Sequence, residues 1–363
     1  MLRIEIFGDI CPLGGQNPFG LTTPVDEYIV GNLECVLTDN PVPIRKAGPV
    51  LYAPTSFATT LKEVGFNAVS IANNHIRDCG DEGILSTKTV CQNAGINIFG
   101  AGSTMDEAAR PYILEQEGQR VVFLSFAEKE FNYVTTGKSG AIFFDPYESL
   151  RRISEAKESS DMVIVLYHGG IEHYIYPSPL LKKKCHMMVD AGADIVLCQH
   201  SHCIGTRELY NGGEILYGQG NSVFGFRKGN KQWNHGLVAK VELKDGRFSV
   251  AYDVLETKED GNVTWAAESI AKEIKETMNN ESVKITDDAF INDQWKEFCR
   301  KHRASYLAML LGFGTNANRL NRLLCNGLVR MLFTRRQLNV SHNIIRCDSH
   351  REVLNTILED FDF

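Results

Sequence analysis

The chain has 363 residues, 43% of them hydrophobic and 23% charged, with a formal net charge of −7. That length suits one large α/β domain with an added module, and the acidic balance argues against general nucleic-acid binding. The charge is uneven: Phe298 to Cys347 carries nine Lys and Arg and no Asp or Glu, which leaves 29 basic against 45 acidic residues elsewhere. The C-terminal part therefore presents a different kind of surface. No apolar run reaches the roughly 18 residues of a spanning helix. Met1 leads into a strand pattern with no charged leader, apolar core or small-residue cleavage site. Most of the ten cysteines sit in apolar runs, so a reducing, cytoplasmic setting is expected.

Leu2 to Phe7 reads as a strand that delivers Gly8-Asp9, and Glu27 to Val30 as one that leads into Gly31-Asn32-Leu33-Glu34. A helix is predicted over residues 54–64, a strand over 67–72 ending in Asn73-Asn74-His75, and a second helix over 81–93 before Gly95. Short strands follow near 97–99, 112–115 and 120–126, then a helix over 147–158. The fully apolar run 161–167 ends in His168-Gly169-Gly170, a helix covers 179–191, and the run Ile195 to Cys198 ends in Gln199-His200-Ser201-His202. Residues 213–217, 236–243 and 247–254 read as antiparallel strands, with Lys244-Asp245-Gly246-Arg247 as a hairpin turn. Alternating strands and helices with a β-rich end predict a layered α/β domain over 1–256. Residues 257–363 form a separate helical, basic region, with helices over 264–280 and 294–311 and a leucine stripe from Leu320 to Leu332.

Asp9, Glu34, Asn74, His75, His168, His200 and His202 all fall just after predicted strands. Open α/β sheets bind ligands at the carboxyl ends of their strands. Two carboxylates, an amide oxygen and three imidazoles form a mixed oxygen and nitrogen set for Mn²⁺, Fe²⁺ or Zn²⁺, with two ions expected. His200 and His202 are two apart, so an extended backbone would point both rings the same way. Each residue has an ordinary alternative. Asp9 caps a turn, Glu34 is a surface acid, Asn74 serves a left-handed turn, and the histidines are hydrogen-bonded core residues. Five strand ends that agree outweigh those alternatives. Cys11 is a further candidate, as a thiolate ligand.

These residues carry a resemblance. Gly8-Asp9, Gly31-Asn32-Leu33-Glu34, Ala72-Asn73-Asn74-His75 with Asp78, Gly100-Ala101-Gly102, His168-Gly169-Gly170-Ile171-Glu172-His173-Tyr174, His200-Ser201-His202 and Gly218-Gln219-Gly220-Asn221-Ser222 follow one another between about residues 3 and 254. In that order they resemble the CapA family of bacterial capsule or poly-γ-glutamate synthesis proteins, whose core is similar to the calcineurin-like metallophosphoesterases. The resemblance implies an α/β/β/α sandwich. It implies Asp9, Glu34 and His202 on one metal, and Glu34, Asn74, His168 and His200 on another. It implies His75 as a proton donor to a leaving oxygen, Asp78 as its orienting partner, and Glu172, Tyr174 and Asn221 as substrate contacts. Two features depart from the phosphoesterase pattern: Asp9 is followed by Ile10-Cys11 rather than by x-His, and the bridging position holds Glu34 rather than Asp.

The expected function is a metal-dependent phosphoesterase-like step on a phosphorylated sugar, a lipid-linked intermediate or a capsule polymer. The rival is a non-hydrolytic component of polymer assembly or transfer, since fold does not fix function. The basic C-terminal helices suit peripheral contact with a membrane surface, or packing on the acidic domain.

Overall fold

Alternation along the first strand sets the layering. The computed structural model describes residues 1–13, 20, 27–312 and 315–360. In it β1 (Leu2–Ile10) turns Leu2, Ile4 and Ile6 into one core and Phe7 and Ile10 into another. Successive side chains of a strand point to opposite faces, so a strand apolar on both must be covered on both. β2 (Tyr28–Leu33), β3 (Phe66–Ser70) and β4 (Asn97–Phe99) continue in parallel, with α1 (Phe57–Val64) and α2 (Gly80–Asn93) as the connections.

A second sheet follows. It uses β5 (Tyr112–Gln116), β6 (Gln119–Ala127), β7 (Met162–His168), β8 (Ile195–Gln199), β9 (Arg207–Tyr210) and β10 (Gly213–Leu216), in the order β9-β10-β8-β7-β6-β5. Helices α3 (Glu148–Glu158) and α4 (Pro179–Asp190) join its parallel strands. The chain then returns to the first sheet through β11 (Asn221–Val223), β12 (His235–Lys244), β13 (Arg247–Thr257) and β14 (Val263–Trp265). Its order is β14-β13-β12-β1-β2-β3-β4, with β11 beside β1. The predicted hairpin joins β12 to β13, and Asp245 and Gly246 adopt φ of 51° and 71°, as a type I′ turn requires.

One core lies between the sheets, where Leu2, Ile4, Ile6 and Val30 meet Val121, Phe123, Ile164, Leu166 and Ile195. In the other, Phe57, Leu61, Ile84 and Cys91 pack with Ile29 and Val69, while Ile153, Cys185 and Met188 pack with Val163, Val165 and Val196. The architecture is thus the expected layered α/β/β/α sandwich.

β1 changes partner at Gly8. Leu2 to Phe7 pair with β12, Asp9 and Ile10 pair with β11, and the ladders shift register on either side of Asp9. A Cβ at Gly8 would stand 2.6 Å from the Gly220 carbonyl oxygen, so only glycine lets the backbones close there. Such irregularities re-aim the next side chain, which here is Asp9.

The chain divides into two compact units, Met1–Ile291 and Asn292–Phe363. The division falls later than the sequence boundary at 256 because α5 (Glu268–Lys284) packs as part of the first unit. Met278 is buried, Ser282 Oγ accepts from the Arg207 N–H at 2.8 Å, and Lys182 Nζ donates to the Ile285 carbonyl at 2.8 Å. After it come α6 (Asp288–Leu310), α7 (Thr315–Leu323), α8 (Gly327–Leu332), α9 (Arg335–Arg346) and α10 (Asp348–Asp360). The stripe from Leu320 to Leu332 is split between α7 and α8, because Cys325 and Asn326 take left-handed φ of 51° and 62°. Among the described residues no helix is long and apolar enough to cross a membrane.

Candidate metal centre

Asp9 lies near the end of β1, Glu34 follows β2, His168 ends β7, and His200 and His202 follow β8. Asp9 and Glu34 have no exposure, and the three imidazoles have at most 8%. Their ligand atoms form two overlapping groups, Glu34 with His168 and His200, and Asp9 with Glu34 and His202, each within 4.8 Å throughout. His168 Nε2 stands 3.4 Å and His202 Nε2 4.0 Å from Glu34 Oε1. Asn74 Oδ1 reaches the same place, 3.0 Å from His168 Nε2.

Polar bonds hold this arrangement from behind. Asn32 Nδ2 donates to Asp9 Oδ1 at 2.8 Å and lies 3.2 Å from His168 Nδ1. Asn73 Nδ2 donates to Asn32 Oδ1 and to the Leu33 carbonyl, and Asn132 Nδ2 donates to the Asn73 carbonyl. Asn221 Oδ1 lies 2.8 Å from His202 Nδ1 and Asn221 Nδ2 donates to the Trp233 carbonyl at 2.9 Å. With the His202 Nδ1–H donated to Asn221, the Nε2 lone pair is left toward Glu34.

The residues fit a cation. Neither oxygen of Glu34 nor Nδ1 of His200 has a hydrogen-bond partner among the described residues, although all three atoms are buried. Such groups carry a large desolvation cost unless something pairs with them. Burial, with the Glu34 charge second, pushes the Asp9 carboxyl up to about 7. Burial pushes Glu34 up to about 8, opposed by His75 and Lys46 and reinforced by Glu172 and Asp78. Burial lowers His168 to about 4 and also draws His200 and His202 down. The imidazoles are therefore neutral, the form that donates a lone pair to a metal. A positive charge among them would relieve the crowding of the two carboxylates.

His200 and His202 do not converge through strand alternation as the sequence suggested. β8 ends at Gln199, and the two histidines adopt φ of 80° and 51° in the turn beyond it. Left-handed backbone is costly for such residues and gathers where function holds it. Here the His200 N–H donates to Asp9 Oδ2 at 2.9 Å, which ties the turn to the first strand.

Beside the cluster, His75 Nδ1 lies 2.7 Å from Asp78 Oδ2, which also accepts from the Leu51 N–H at 2.7 Å. Asp78 Oδ1 pairs with Lys46 Nζ, whose side chain is 3% exposed and lies 4.8 Å from the centre of the Phe131 ring. Lys46 and Asn32 escaped sequence reasoning: Lys46 sits in an irregular loop, and Asn32 is two residues from the acid that drew attention. Glu172 is exposed and near enough to act on Glu34 and His200. Tyr174 packs edge-on against Tyr176, with ring centres 5.9 Å apart. Asn221, expected at the substrate, is instead 1% exposed and occupied with His202 and Trp233. The Cys11 thiol bonds Cys35, and that bond and burial push its pKa up. Cys11 lies in the apolar core and belongs to neither group of ligand atoms.

The family described as "Bacterial capsule synthesis protein PGA_cap" matches residues 21–226. The chain is 31% identical over 233 residues to the capsule biosynthesis protein CapA of Bacillus anthracis, covering 62% of this chain and 56% of that one. It is 29% identical over 252 residues to the PGA biosynthesis protein CapA of Bacillus subtilis strain 168, covering 65% and 64%. The chain thus spans less than two thirds of the length of these relatives. Among solved structures, a hypothetical protein from Thermus thermophilus is similar at 15% identity and a TM-score of 0.44, covering 70% of this chain and 99% of that one.

Proposed function

The chain belongs to the PGA_cap family of bacterial capsule synthesis proteins, and on that premise we propose that its cluster holds divalent metal and hydrolyses a phosphorylated intermediate of capsule-polymer synthesis. The polymer is a polysaccharide or poly-γ-glutamate, and the substrate a phosphorylated sugar, a lipid-linked intermediate or the polymer itself. Asp9, Glu34 and His202 hold one ion; Glu34, Asn74, His168 and His200 hold a second, with Glu34 shared. Mn²⁺, Fe²⁺ and Zn²⁺ suit this donor set. When bound, the metal supplies Lewis acidity toward a phosphoryl oxygen.

The chain's own groups orient and protonate. Asp78, fixed by the Leu51 N–H and Lys46, accepts from His75 Nδ1 and so supports a doubly protonated ring, whose Nε2–H protonates a leaving oxygen. Glu172 and Tyr174 lie in the segment after His168 and contact substrate at the mouth. The observation that carries this reading is Glu34, sealed from water with neither oxygen hydrogen-bonded while three neutral imidazoles face it. The cytoplasm is the proposed compartment, on the cysteine usage of the sequence. The basic helices after residue 297 are proposed to touch an anionic membrane surface, on their charge.

The test is elemental analysis of protein purified without chelator, with phosphate release from an aryl phosphate in Mn²⁺ for wild type and His200→Ala. One to two ions per chain, with release lost in the variant, is the expected result. Absence of metal after Mn²⁺ or Zn²⁺ soaking overturns the reading. A second reading, polymer assembly or transfer without hydrolysis, is favoured by Cys11, which stands where phosphoesterases carry a ligand histidine and is turned to Cys35. Full metal content without release from any phosphate ester would select it.

A further inference from the structure

Beyond the cluster, the loop after β11 builds a fixed aromatic plate. Trp233 is 3% exposed, and its ring centre lies 4.9 Å from that of His202 and 5.3 Å from that of Phe224. Its Nε1 donates to the Gly225 carbonyl at 2.9 Å and its backbone N–H to Asn230 Oδ1 at 3.1 Å, while Asn221 holds its carbonyl. The indole is therefore locked against a proposed metal ligand.

Arg227 lies on this plate, with Cζ 3.1 Å from the centre of the ring. Its backbone is pinned to buried Asn234, which accepts from the Arg227 N–H at 2.8 Å and donates to the Arg227 carbonyl at 2.9 Å. The guanidinium itself has no hydrogen bond and no ion pair among the described residues, and the residue is exposed. The ring centre of His173 lies 5.9 Å from that of Trp233, so the plate and Arg227 adjoin the segment expected at the mouth. Stacking uses the face of a guanidinium and leaves its edge of N–H donors available.

We propose that Arg227 is a substrate-binding residue that grips a second oxyanion, a carboxylate or phosphate, beside the phosphoryl group held at the cluster. The fork of donors matches either anion in a bidentate way, and the plate fixes it before substrate arrives, which lowers the ordering cost of binding. The substrate class this selects is a phosphoryl compound with a neighbouring acidic group, rather than a neutral ester. The inference rests on the cluster being an oxyanion site.

The experiment is calorimetric titration of the Mn²⁺-loaded full chain with methylphosphonate, 3-phosphonopropionate and 1,3-propanediphosphonate. Wild type is expected to bind a two-anion probe about tenfold tighter than methylphosphonate, the scale of one charge-assisted contact. The probe with the larger advantage identifies the second group as carboxylate or phosphate. In Arg227→Gln the advantage falls to about one, and Arg227→Lys, which keeps the charge without the fork, restores part of it. An advantage that survives in Arg227→Gln, including by equal weakening of all probes, makes Arg227 a cover for Trp233 and overturns the proposal. So does the lack of any advantage in wild type. If no probe binds wild type, the oxyanion reading of the cluster falls and this proposal falls with it.

Discussion

At the carboxyl ends of β1 and β2 and in the turn after β3, groups that ordinarily face water are sealed in: Asp9, Glu34 and Asp78 have no exposure. The second unit inverts this. Leu323 and Met331 stand 81 and 68% exposed, amid a stretch with nine bases and no acid. A carboxylate removed from water costs several kcal/mol unless paired, and clustered exposed apolar side chains mark contact surfaces. In the first unit the unusual residues are fixed by a dense polar network and so define a site. In the second they are displayed, and define a surface. The following experiments break or sharpen that contrast.

The largest effect is expected at Glu34. Glu34→Gln keeps the shape but removes the charge common to both groups of ligand atoms. Both ions and all turnover should be lost, as read by elemental analysis. Wild type should gain about 2.7 kcal/mol of stability at a metal concentration a hundredfold above Kd, and the variant none. Metal retained by the variant would show that Glu34 is buried for packing alone.

His75→Asn should separate binding from chemistry. Every proposed ligand remains, so metal content should stay near wild type while turnover falls by about 10²–10⁴-fold, the range for a positioned proton donor. Metal loss would make His75 a ligand, and full activity would make it structural. Next in size is Lys46→Met. It leaves the Asp78 carboxylate with the Leu51 N–H and His75 but without its buried cation. Breaking a buried pair typically costs about 3–5 kcal/mol, and urea unfolding should show about 3, with much of the loss recovered in Lys46→Arg. A change below about 1 kcal/mol would mean that water replaces the lysine.

Part of this site was legible because apolar runs announce strands, and strand ends collect functional groups in layered α/β folds. Asp9, Glu34, His168 and the His200–His202 pair were found that way. The mechanism of their convergence was not legible. Strand alternation suggested an extended His200 and His202, whereas tertiary bonds such as the His200 N–H to Asp9 hold both in left-handed turns. Lys46 lay hidden because an irregular loop has no period to read. Asn221 was placed at the substrate because a motif does not say which way an amide faces. The division after Ile291 is not written in local sequence for a related reason: α5 and the Ile285 that follows it are held by bonds to Arg207, Lys182 and Tyr176, all distant along the chain.

The smallest effect on stability, and the one that most directly tests the second unit, is expected from Leu323→Gln with Met331→Gln. Both positions lie in short helices, α7 and α8, and glutamine keeps helix propensity close to that of leucine and methionine. If these side chains are displayed, unfolding free energy should move by no more than about 0.5 kcal/mol, as for surface substitutions generally. Co-sedimentation with anionic vesicles should nonetheless drop, because each change removes apolar area that would enter the interface, roughly 25 cal/mol per Å². The arginines supply the other half of the attraction, which is screened over about 10 Å at 0.1 M salt, so wild-type binding should weaken as salt rises. A stability loss above about 1.5 kcal/mol would instead mark both residues as packed, and salt-independent sedimentation would remove the electrostatic part of the membrane reading.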